Sequence, residues 1–374
     1  MAGLYIHVPF CSKRCIYCDF YSQTNLNYKN DYVKAVVYEL KLRQHYLEGE
    51  PIKTIYFGGG TPSLLQANDF EQIFNAINSL YDLSSCEEIT LEANPDDISS
   101  SYLNELRQFQ FNRISLGVQS FDDRELQFLN RRHSRKQAID AVNLCRKAGF
   151  TNLSIDLMYG LPQQTNEVWK ANLSEALNLD IPHISAYHLS YEKGTSLYRK
   201  TESGNINPVD EEASLQFFHT LINTLTGAGY LHYEISNFCK PGLFAQHNTS
   251  YWTGRKYLGI GPAAHSYSHD SRQWNIDSLS GYIEKMMNEQ LFFEKEMLDL
   301  KTQYNDYVLT HLRTMWGIQL NELAGKFGQA FFDYFNKQAK PYLLKGLLEK
   351  NQETAKLTTQ GIFISDHIFR DLIR

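Results

Sequence analysis

The sequence lacks several features that would place it in a common class of protein. It has no apolar run long enough to cross a bilayer, which excludes a transmembrane helix. No basic segment followed by an apolar stretch stands at its start, so we expect no signal peptide. The formal net charge is −6, and no basic surface favours nucleic acid as a partner.

Cysteine is also scarce, with six in 374 residues. Cys86, Cys145 and Cys239 stand singly along the chain. Isolated thiols of this kind are typical of small buried side chains in a reducing compartment rather than of disulfides. We therefore expect a cytoplasmic protein.

The other three cysteines lie together, directly after an apolar run at Leu4–Val8. Cys11, Cys15 and Cys18 supply three thiolates from one loop, which can hold three irons of a cubane [4Fe–4S] cluster. Such clusters normally take four cysteines, so the fourth iron would stay open to another ligand. A zinc site completed by His7 or a distant residue, or a chance group of core thiols, is an alternative. Structural zinc prefers four ligands in paired spacing, and we favour the iron–sulfur cluster.

Strand and helix patterns alternate through the first two-thirds of the chain. The predicted strands are Leu4–Val8, Thr54–Phe57, Glu88–Glu92, Arg113–Val118, Leu153–Met158 and His183–Leu189. The predicted helices are Tyr28–Leu47, Asn68–Leu80, Ser101–Phe109, Arg135–Ala148, Glu167–Leu179 and Asp210–Ala228. Such βα units predict a parallel sheet with right-handed crossovers. Six are too few for an eight-unit barrel, so we predict an α/β fold with a partial (βα)6 TIM-like barrel; a flat doubly wound sheet is the alternative.

Residues at the predicted helix ends support this pattern. Asp123 and Ser134 are predicted N-caps, and Gly149 and Gly229 stand just past helix ends, where glycine is favoured.

The alternation stops after residue 230. Residues 231–262 read as loops and short strands, and a mainly helical tail from about residue 282 ends in a helix and a small β-hairpin. We therefore predict two domains that pack together: the partial barrel at 1–230, and a mainly helical C-terminal domain with a winged-helix-like end at 231–374.

Polar residues and glycines follow the predicted strands at the same end. They are the cysteine loop, the run Gly58-Gly59-Gly60-Thr61-Pro62, Glu92, Gln119 and Asp156. Reactive groups of parallel α/β barrels gather at this end, so we expect these residues to converge. Carboxylates there can accept hydrogen bonds from ribose hydroxyls or an ammonium group, and Arg131 can pair with a carboxylate. Turns and helix caps are the structural alternative.

This combination resembles the radical S-adenosylmethionine (SAM) superfamily, whose signature is C-x3-C-x2-C on a partial (βα)6 barrel. The resemblance covers about the first 230 residues. It implies a [4Fe–4S] cluster on Cys11, Cys15 and Cys18, with the open iron chelated by SAM. The run Gly117-Val-Gln-Ser-Phe, followed by Asn130-Arg131, is similar to the coproporphyrinogen dehydrogenase branch. The SAM-contacting residues that this implies are Tyr5, Gly59, Gly60, Thr61, Glu92, Gln119, Arg131 and Asp156.

Two groups within that branch differ near the cluster. The anaerobic coproporphyrinogen III dehydrogenases carry a further cysteine two residues after the third and a long N-terminal extension. Here Phe20 occupies that position and Cys11 comes early. The run from His247 to Trp252 is similar to the H-N-x-x-Y-W motif of the haem chaperones in the branch. The resemblance implies haem as a ligand, with His247, Tyr251 and Trp252 as candidate contacts; a capped loop packed on the barrel is the structural alternative.

We therefore expect a haem chaperone that binds a [4Fe–4S] cluster, SAM and haem, as a monomer or a dimer. It would pass haem to acceptor haemoproteins, such as respiratory enzymes at the membrane. An oxygen-independent coproporphyrinogen III oxidase, which is a radical SAM oxidative decarboxylase, is the first alternative. A radical SAM methyltransferase is the second.

Overall fold

A twelve-stranded sheet forms the centre of the computed structural model, which describes residues Met1–Arg374. Its six middle strands are parallel and adjacent in chain order. They are β1 (Ala2–Val8), β2 (Ile52–Gly59), β3 (Glu88–Ala93), β4 (Arg113–Gln119), β5 (Asn152–Tyr159) and β6 (His183–His188). The helices that connect or follow them are α1 (Lys29–Leu42), α2 (Ala67–Leu80), α3 (Ser100–Leu106), α4 (Asp123–Phe128), α5 (Arg135–Lys147), α6 (Asn166–Asn178), α7 (Ser196–Glu202) and α8 (Glu211–Gly227).

The strand order identifies an open barrel. A doubly wound sheet reverses its order at a switch point, whereas here the order runs from β1 to β6 without reversal. The end strands β1 and β6 do not pair with each other, because other strands occupy their outer edges. The predicted partial barrel is confirmed. Its apolar core of 59 buried residues joins the sheet to the helices.

Residues after 230 extend the sheet on both sides. The hairpin of β7 (Leu231–Glu234) and β8 (Asn237–Cys239) pairs with β6. On the other side, β9 (Tyr257–Ile260) runs parallel to β1, followed by the antiparallel strands β10 (His265–Ser268), β11 (Ser271–Asn275) and β12 (Phe293–Met297). The helices α9 (Gln246–Trp252) and α10 (Leu279–Met287) lie between these strands in the chain. The division of domains at residue 230 stays a prediction.

The last part of the chain has a core of its own, with 17 buried apolar residues. Its elements are α11 (Leu300–Leu312), β13 (Ile318–Gln319), α12 (Leu320–Phe327), α13 (Gln329–Leu344), β14 (Leu348–Lys350), β15 (Thr354–Leu357), α14 (Thr359–Phe363) and α15 (Ser365–Leu372). The three strands form a separate antiparallel sheet. The predicted hairpin and helical C-terminal region are present, but the chain ends in α14 and α15 rather than in the hairpin.

Several element ends differ from the prediction. The first helix ends at Leu42 rather than at residue 47. Asp122, not Asp123, caps α4, because its extended backbone lets its carboxylate accept hydrogen bonds from the first turn. Ser134 caps α5 as predicted, and Gly149 and Gly229 have positive φ angles of 89° and 86°. None of the helices is both long and apolar enough to cross a membrane.

Candidate functional site

The cysteine loop follows β1 and is fixed by two other segments of the chain. The Asn130 side chain donates a hydrogen bond of 2.8 Å to the Arg14 carbonyl. The Ile16 amide donates to the Leu129 carbonyl, and its carbonyl accepts from the amide of Leu197. These bonds tie the loop to the end of α4 and the start of α7, so its thiols are held in place.

A cavity of about 420 Å³ opens beside this loop. Its lining includes Cys11, Cys15, Cys18, Gly59, Gly60, Thr61, Glu92, Gln119, Arg131 and Asp156. The structure therefore brings together all three predicted cluster cysteines and every predicted SAM-contacting residue except Tyr5. Because β1 to β5 are parallel, their carboxyl ends meet at this edge of the sheet. We call this space the cluster cavity.

Hydrogen-bond donors face two of the thiols. The Thr61 hydroxyl lies 3.5 Å from Cys11 Sγ, and Arg131 Nη1 lies 3.3 Å from Cys15 Sγ. Burial, with the neighbouring Cys15 and Cys11, raises the pKa of Cys18 to about 11. Cationic and hydroxyl donors stabilise thiolates, the form that binds metal.

No three His, Cys, Asp or Glu side chains are gathered so that they could hold a single metal ion. A cubane cluster uses its cysteines differently, because each thiolate binds a different iron. Three cysteines of one loop that line one cavity fit that arrangement.

Glycine is needed where β2 turns into the cavity. Gly59 has a φ of 106°, and a Cβ there would lie 2.6 Å from the His7 ring. A Cβ on Gly60 would lie 2.7 Å from the Phe10 carbonyl oxygen. The turn therefore passes close to the cysteine loop and leaves its backbone open to a ligand.

Two half-buried carboxyl groups, Glu92 and Asp156, line the cavity. Burial, together with the charge of Asp156, raises the pKa of Glu92 to about 7, against the opposing effect of hydrogen bonds from Tyr56 and Gly59. Tyr56 donates to Glu92 over 2.6 Å. Burial also raises the pKa of Asp156 to about 6, although Ser185 donates a hydrogen bond to it. Both groups therefore titrate closer to neutrality than ordinary carboxyls, as binding-site groups often do.

The side chain of Arg131 contacts both the cysteine loop and β4. Besides Cys15, it donates to the Asn94 side chain and to the Gly117 carbonyl. Gln119, at the end of β4, has a φ of 69°, which is uncommon for a residue other than glycine and clusters at functional sites.

Several other side chains that line this cavity were not assigned from the sequence, among them Asn94, Tyr187 and His188. Asn94 precedes a proline and reads as a turn residue. Tyr187 and His188 end a strand that carries no motif. Their positions at the carboxyl ends of barrel strands could have identified them from the sequence.

A second cavity of about 700 Å³ lies on the other side of the cysteine loop. Its walls include Tyr5, Phe20, Tyr21, Tyr251, Tyr257 and Trp274, and we call it the aromatic cleft. Asp19 and Phe20 line both cavities, so the two are neighbours. Tyr5 lies here rather than in the cluster cavity, and its hydroxyl is 3.1 Å from His7 Nδ1.

The structure separates the three haem candidates. His247 is buried, with Nδ1 2.8 Å from the Thr54 hydroxyl and Nε2 2.8 Å from the Tyr251 hydroxyl. A bond from either nitrogen to iron would replace one of these hydrogen bonds. Tyr251 lines both the aromatic cleft and a third cavity of about 450 Å³ beside α11, whereas Trp252 lines only the third cavity. Haem contacts by His247, Tyr251 and Trp252 stay a prediction.

The ring of His247 is also linked to the cluster cavity. It stacks on Tyr56 with ring centroids 5.1 Å apart, and Tyr56 donates to Glu92. The amides of Gln246 and His247 donate to the carboxylate of Glu88. The histidine thus holds the tyrosine that contacts Glu92.

Comparisons with known proteins agree with this arrangement. The Radical SAM superfamily model matches residues 5–174, and the HemN C-terminal domain model matches residues 298–364. The structure of coproporphyrinogen III oxidase (HemN) from Escherichia coli superimposes with a TM-score of 0.87 and 23% identity, covering 100% of this chain and 90% of that one. At that identity the likeness shows the fold alone.

Two relatives are similar over nearly their full length. The heme chaperone HemW of Lactococcus lactis is 34% identical over 370 residues, covering 99% of this chain and 96% of its own. The heme chaperone HemW of Bacillus subtilis is 33% identical over 374 residues, covering 99% of this chain and 98% of its own. The chain therefore belongs to the radical SAM superfamily, within the family of its relatives named heme chaperone HemW.

Proposed function

We propose that this protein is a haem chaperone: it binds a [4Fe–4S] cluster, SAM and haem, and transfers haem to acceptor haemoproteins. The observation that carries the proposal is the similarity, over 99% of the chain, to relatives named heme chaperone HemW. The proximity of the aromatic cleft to the cluster cavity supports it, because Asp19 and Phe20 line both.

Cys11, Cys15 and Cys18 would hold the cluster. Membership of the radical SAM superfamily implies both the cluster and SAM, and a bound cluster supplies electrons one at a time. The Arg131 guanidinium donates toward Cys15 Sγ, and such a donor stabilises negative charge on sulfur. Three cysteines leave one iron without a protein ligand, where SAM would bind.

The remaining residues of the cluster cavity would position SAM. Gly59 and Gly60 leave room for its methionine part beside the backbone, since side chains there would collide with His7 and Phe10. Glu92 and Asp156 are acceptors for ammonium or ribose groups. Tyr5 would act through His7, which it contacts, because it does not line this cavity.

Phe20 favours a chaperone over a porphyrinogen decarboxylase. The resemblance gives the decarboxylases a further cysteine at this position, and here the side chain is an exposed phenylalanine between the two cavities. An exposed aromatic ring offers a flat apolar contact. In the aromatic cleft it would meet the edge of a bound macrocycle.

One parallel assay tests the proposal. Anaerobically reconstituted protein is incubated with SAM and a reductant, and either coproporphyrinogen III or haem is added. We expect a stable haem complex with a Soret band and no decarboxylated porphyrinogen. Robust decarboxylation together with absent haem binding would contradict the proposal. A reconstituted coproporphyrinogen III oxidase serves as the positive control for the first arm.

A further inference from the structure

A histidine in the aromatic cleft has no partner in the chain. His265 begins β10 and is exposed on the wall of the cleft. Its ring lies beside that of Trp274, with centroids 6.3 Å apart and an interplanar angle of 28°. Neither of its ring nitrogens makes a hydrogen bond within the chain, so a lone pair is available. Neutral imidazole is a common metal ligand.

The other histidines near this cleft are already engaged. His7 places Nδ1 beside the Tyr5 hydroxyl and Nε2 2.9 Å from the Tyr21 carbonyl. His247 uses both nitrogens on Thr54 and Tyr251. Coordination by either would cost an existing hydrogen bond, whereas coordination by His265 costs none.

The cleft matches a flat macrocycle that brings its own metal. Its volume of about 700 Å³ falls within the range of small-molecule sites. Aromatic side chains offer flat faces on several walls, and such faces stack on conjugated rings. Haem supplies four nitrogen ligands itself, so a single protein imidazole suffices as an axial ligand. A bare metal ion would need several protein ligands.

The charges around the cleft affect the state of His265 and the orientation in which haem would lie. Desolvation and the charge of Arg272 lower the pKa of His265, so the imidazole is neutral near pH 7 and free to bind iron. Asp19, Asp277 and Glu294 also line the cleft, and like charges repel. The two haem propionates would therefore lie away from these carboxylates, toward the solvent.

We propose that the aromatic cleft is the haem site and that His265, rather than His247, supplies the axial ligand to the haem iron. The assignment rests on the proposed function and names the site where that function occurs. Because Asp19 and Phe20 line both cavities, the haem would lie beside the cluster cavity.

Ferric haem titrated into the anaerobically reconstituted full chain tests the assignment. The proteins compared are the wild type, His265→Ala, His247→Ala and, as a remote control, His45→Ala at an exposed position. Absorption and electron paramagnetic resonance spectra report the axial ligand, and iron content reports an intact cluster. We expect His265→Ala to lose the histidine-ligated haem spectrum while it keeps the cluster. Added imidazole should restore that spectrum, which it would not do for a purely structural defect. The other two variants should keep it.

Each other outcome is decisive. A wild-type haem spectrum in His265→Ala would overturn the assignment and leave the chaperone role intact. Loss of the histidine-ligated haem spectrum in His247→Ala alone, with recovery on added imidazole, would also overturn the assignment. If the wild-type chain itself binds no haem, the proposed function fails rather than the choice of histidine.

Discussion

At the scale of single residues, the site depends on how burial and nearby charge change the chemistry of ordinary side chains. Arg131 donates to the thiol of Cys15, and Glu92 is half-buried with Asp156 nearby. These properties depend on residues that are close in space but distant in the sequence. The sequence identified the residues through their positions after strands, but it could not predict their pKa values or partners.

The three clustered cysteines should be separable from the three single ones. Replacing Cys11, Cys15 or Cys18 by Ser should abolish the cluster, because a hydroxyl is a poor ligand for iron in such a site. The matched controls are Cys86→Ser, Cys145→Ser and Cys239→Ser, which should keep about four irons and four sulfides per chain. Iron and sulfide analysis after anaerobic reconstitution measures this. Zinc retained in place of iron in the wild type would contradict the cluster assignment.

The raised pKa of Glu92 should appear in the stability of the cluster-free chain. Its folded pKa of about 7 exceeds the ordinary value of 4.5. The contribution of the Glu92 carboxyl group to the free energy of unfolding is therefore fully present below pH 4.5 and is lost as the pH rises through 7. Glu92→Gln should remove this loss and, at pH 8, raise the free energy of unfolding by up to about 3 kcal/mol.

Denaturant unfolding at pH 6 and pH 8 measures the effect, with the exposed Glu87→Gln as control. The same variant should weaken SAM binding, since it removes a charged acceptor. An unchanged dependence of stability on pH would show that Glu92 is not a titrating, half-buried carboxyl.

At the scale of elements, the alternation of strands and helices predicted the parallel strands because each repeats a strong local pattern. Each observed middle strand overlaps its predicted range, from β1 (Ala2–Val8) to β6 (His183–His188). The antiparallel strands β10, β11 and β12 were missed, because their sequences are mostly polar or charged and contain no apolar run. Their pairing is set by tertiary contacts. His265 was missed for the same reason, since no motif surrounds it.

Helix α9 should depend on a carboxylate from β3. Glu88 accepts hydrogen bonds from the amides of Gln246 and His247 and lies 3.8 Å from Arg113 Nε. Glu88→Ala should lower the free energy of unfolding by about 3–5 kcal/mol, because it leaves the buried Arg113 unpaired. Glu87→Ala is the control, since that exposed residue pairs only with Lys53 and should cost about 1 kcal/mol or less. Equal losses in the two variants would refute this role of Glu88.

The turn after β2 offers a second test at this scale. Gly59→Ala adds a Cβ that would lie 2.6 Å from the His7 ring. Gly149 has a similar positive φ, but a Cβ added there by Gly149→Ala would have no atom within 4 Å. Both variants should lose about 1 kcal/mol from backbone strain. Only Gly59→Ala should also lower SAM affinity, as isothermal titration would measure. Equal SAM affinities would contradict the placement of the methionine part.

At the scale of the whole molecule, one sheet carries two neighbouring cavities. The cluster cavity lies at the strand ends of the barrel, and the aromatic cleft lies where the later strands join β1. Phe20, near the end of the cysteine loop, lines both. A chaperone of this design would bind haem within reach of the cluster and release it to a second protein.

Transfer of haem from the loaded chain to an acceptor can be followed by absorption spectroscopy. Haem-loaded wild-type protein, freed of excess haem, is mixed with an apo-haemoprotein whose holo form has a distinct spectrum. We expect the acceptor spectrum to appear while the chain loses its Soret absorbance, and the transfer rate to depend on acceptor concentration. A rate that equals spontaneous dissociation into a haem-scavenging protein, and that does not change with acceptor concentration, would contradict the proposed transfer of haem to an acceptor.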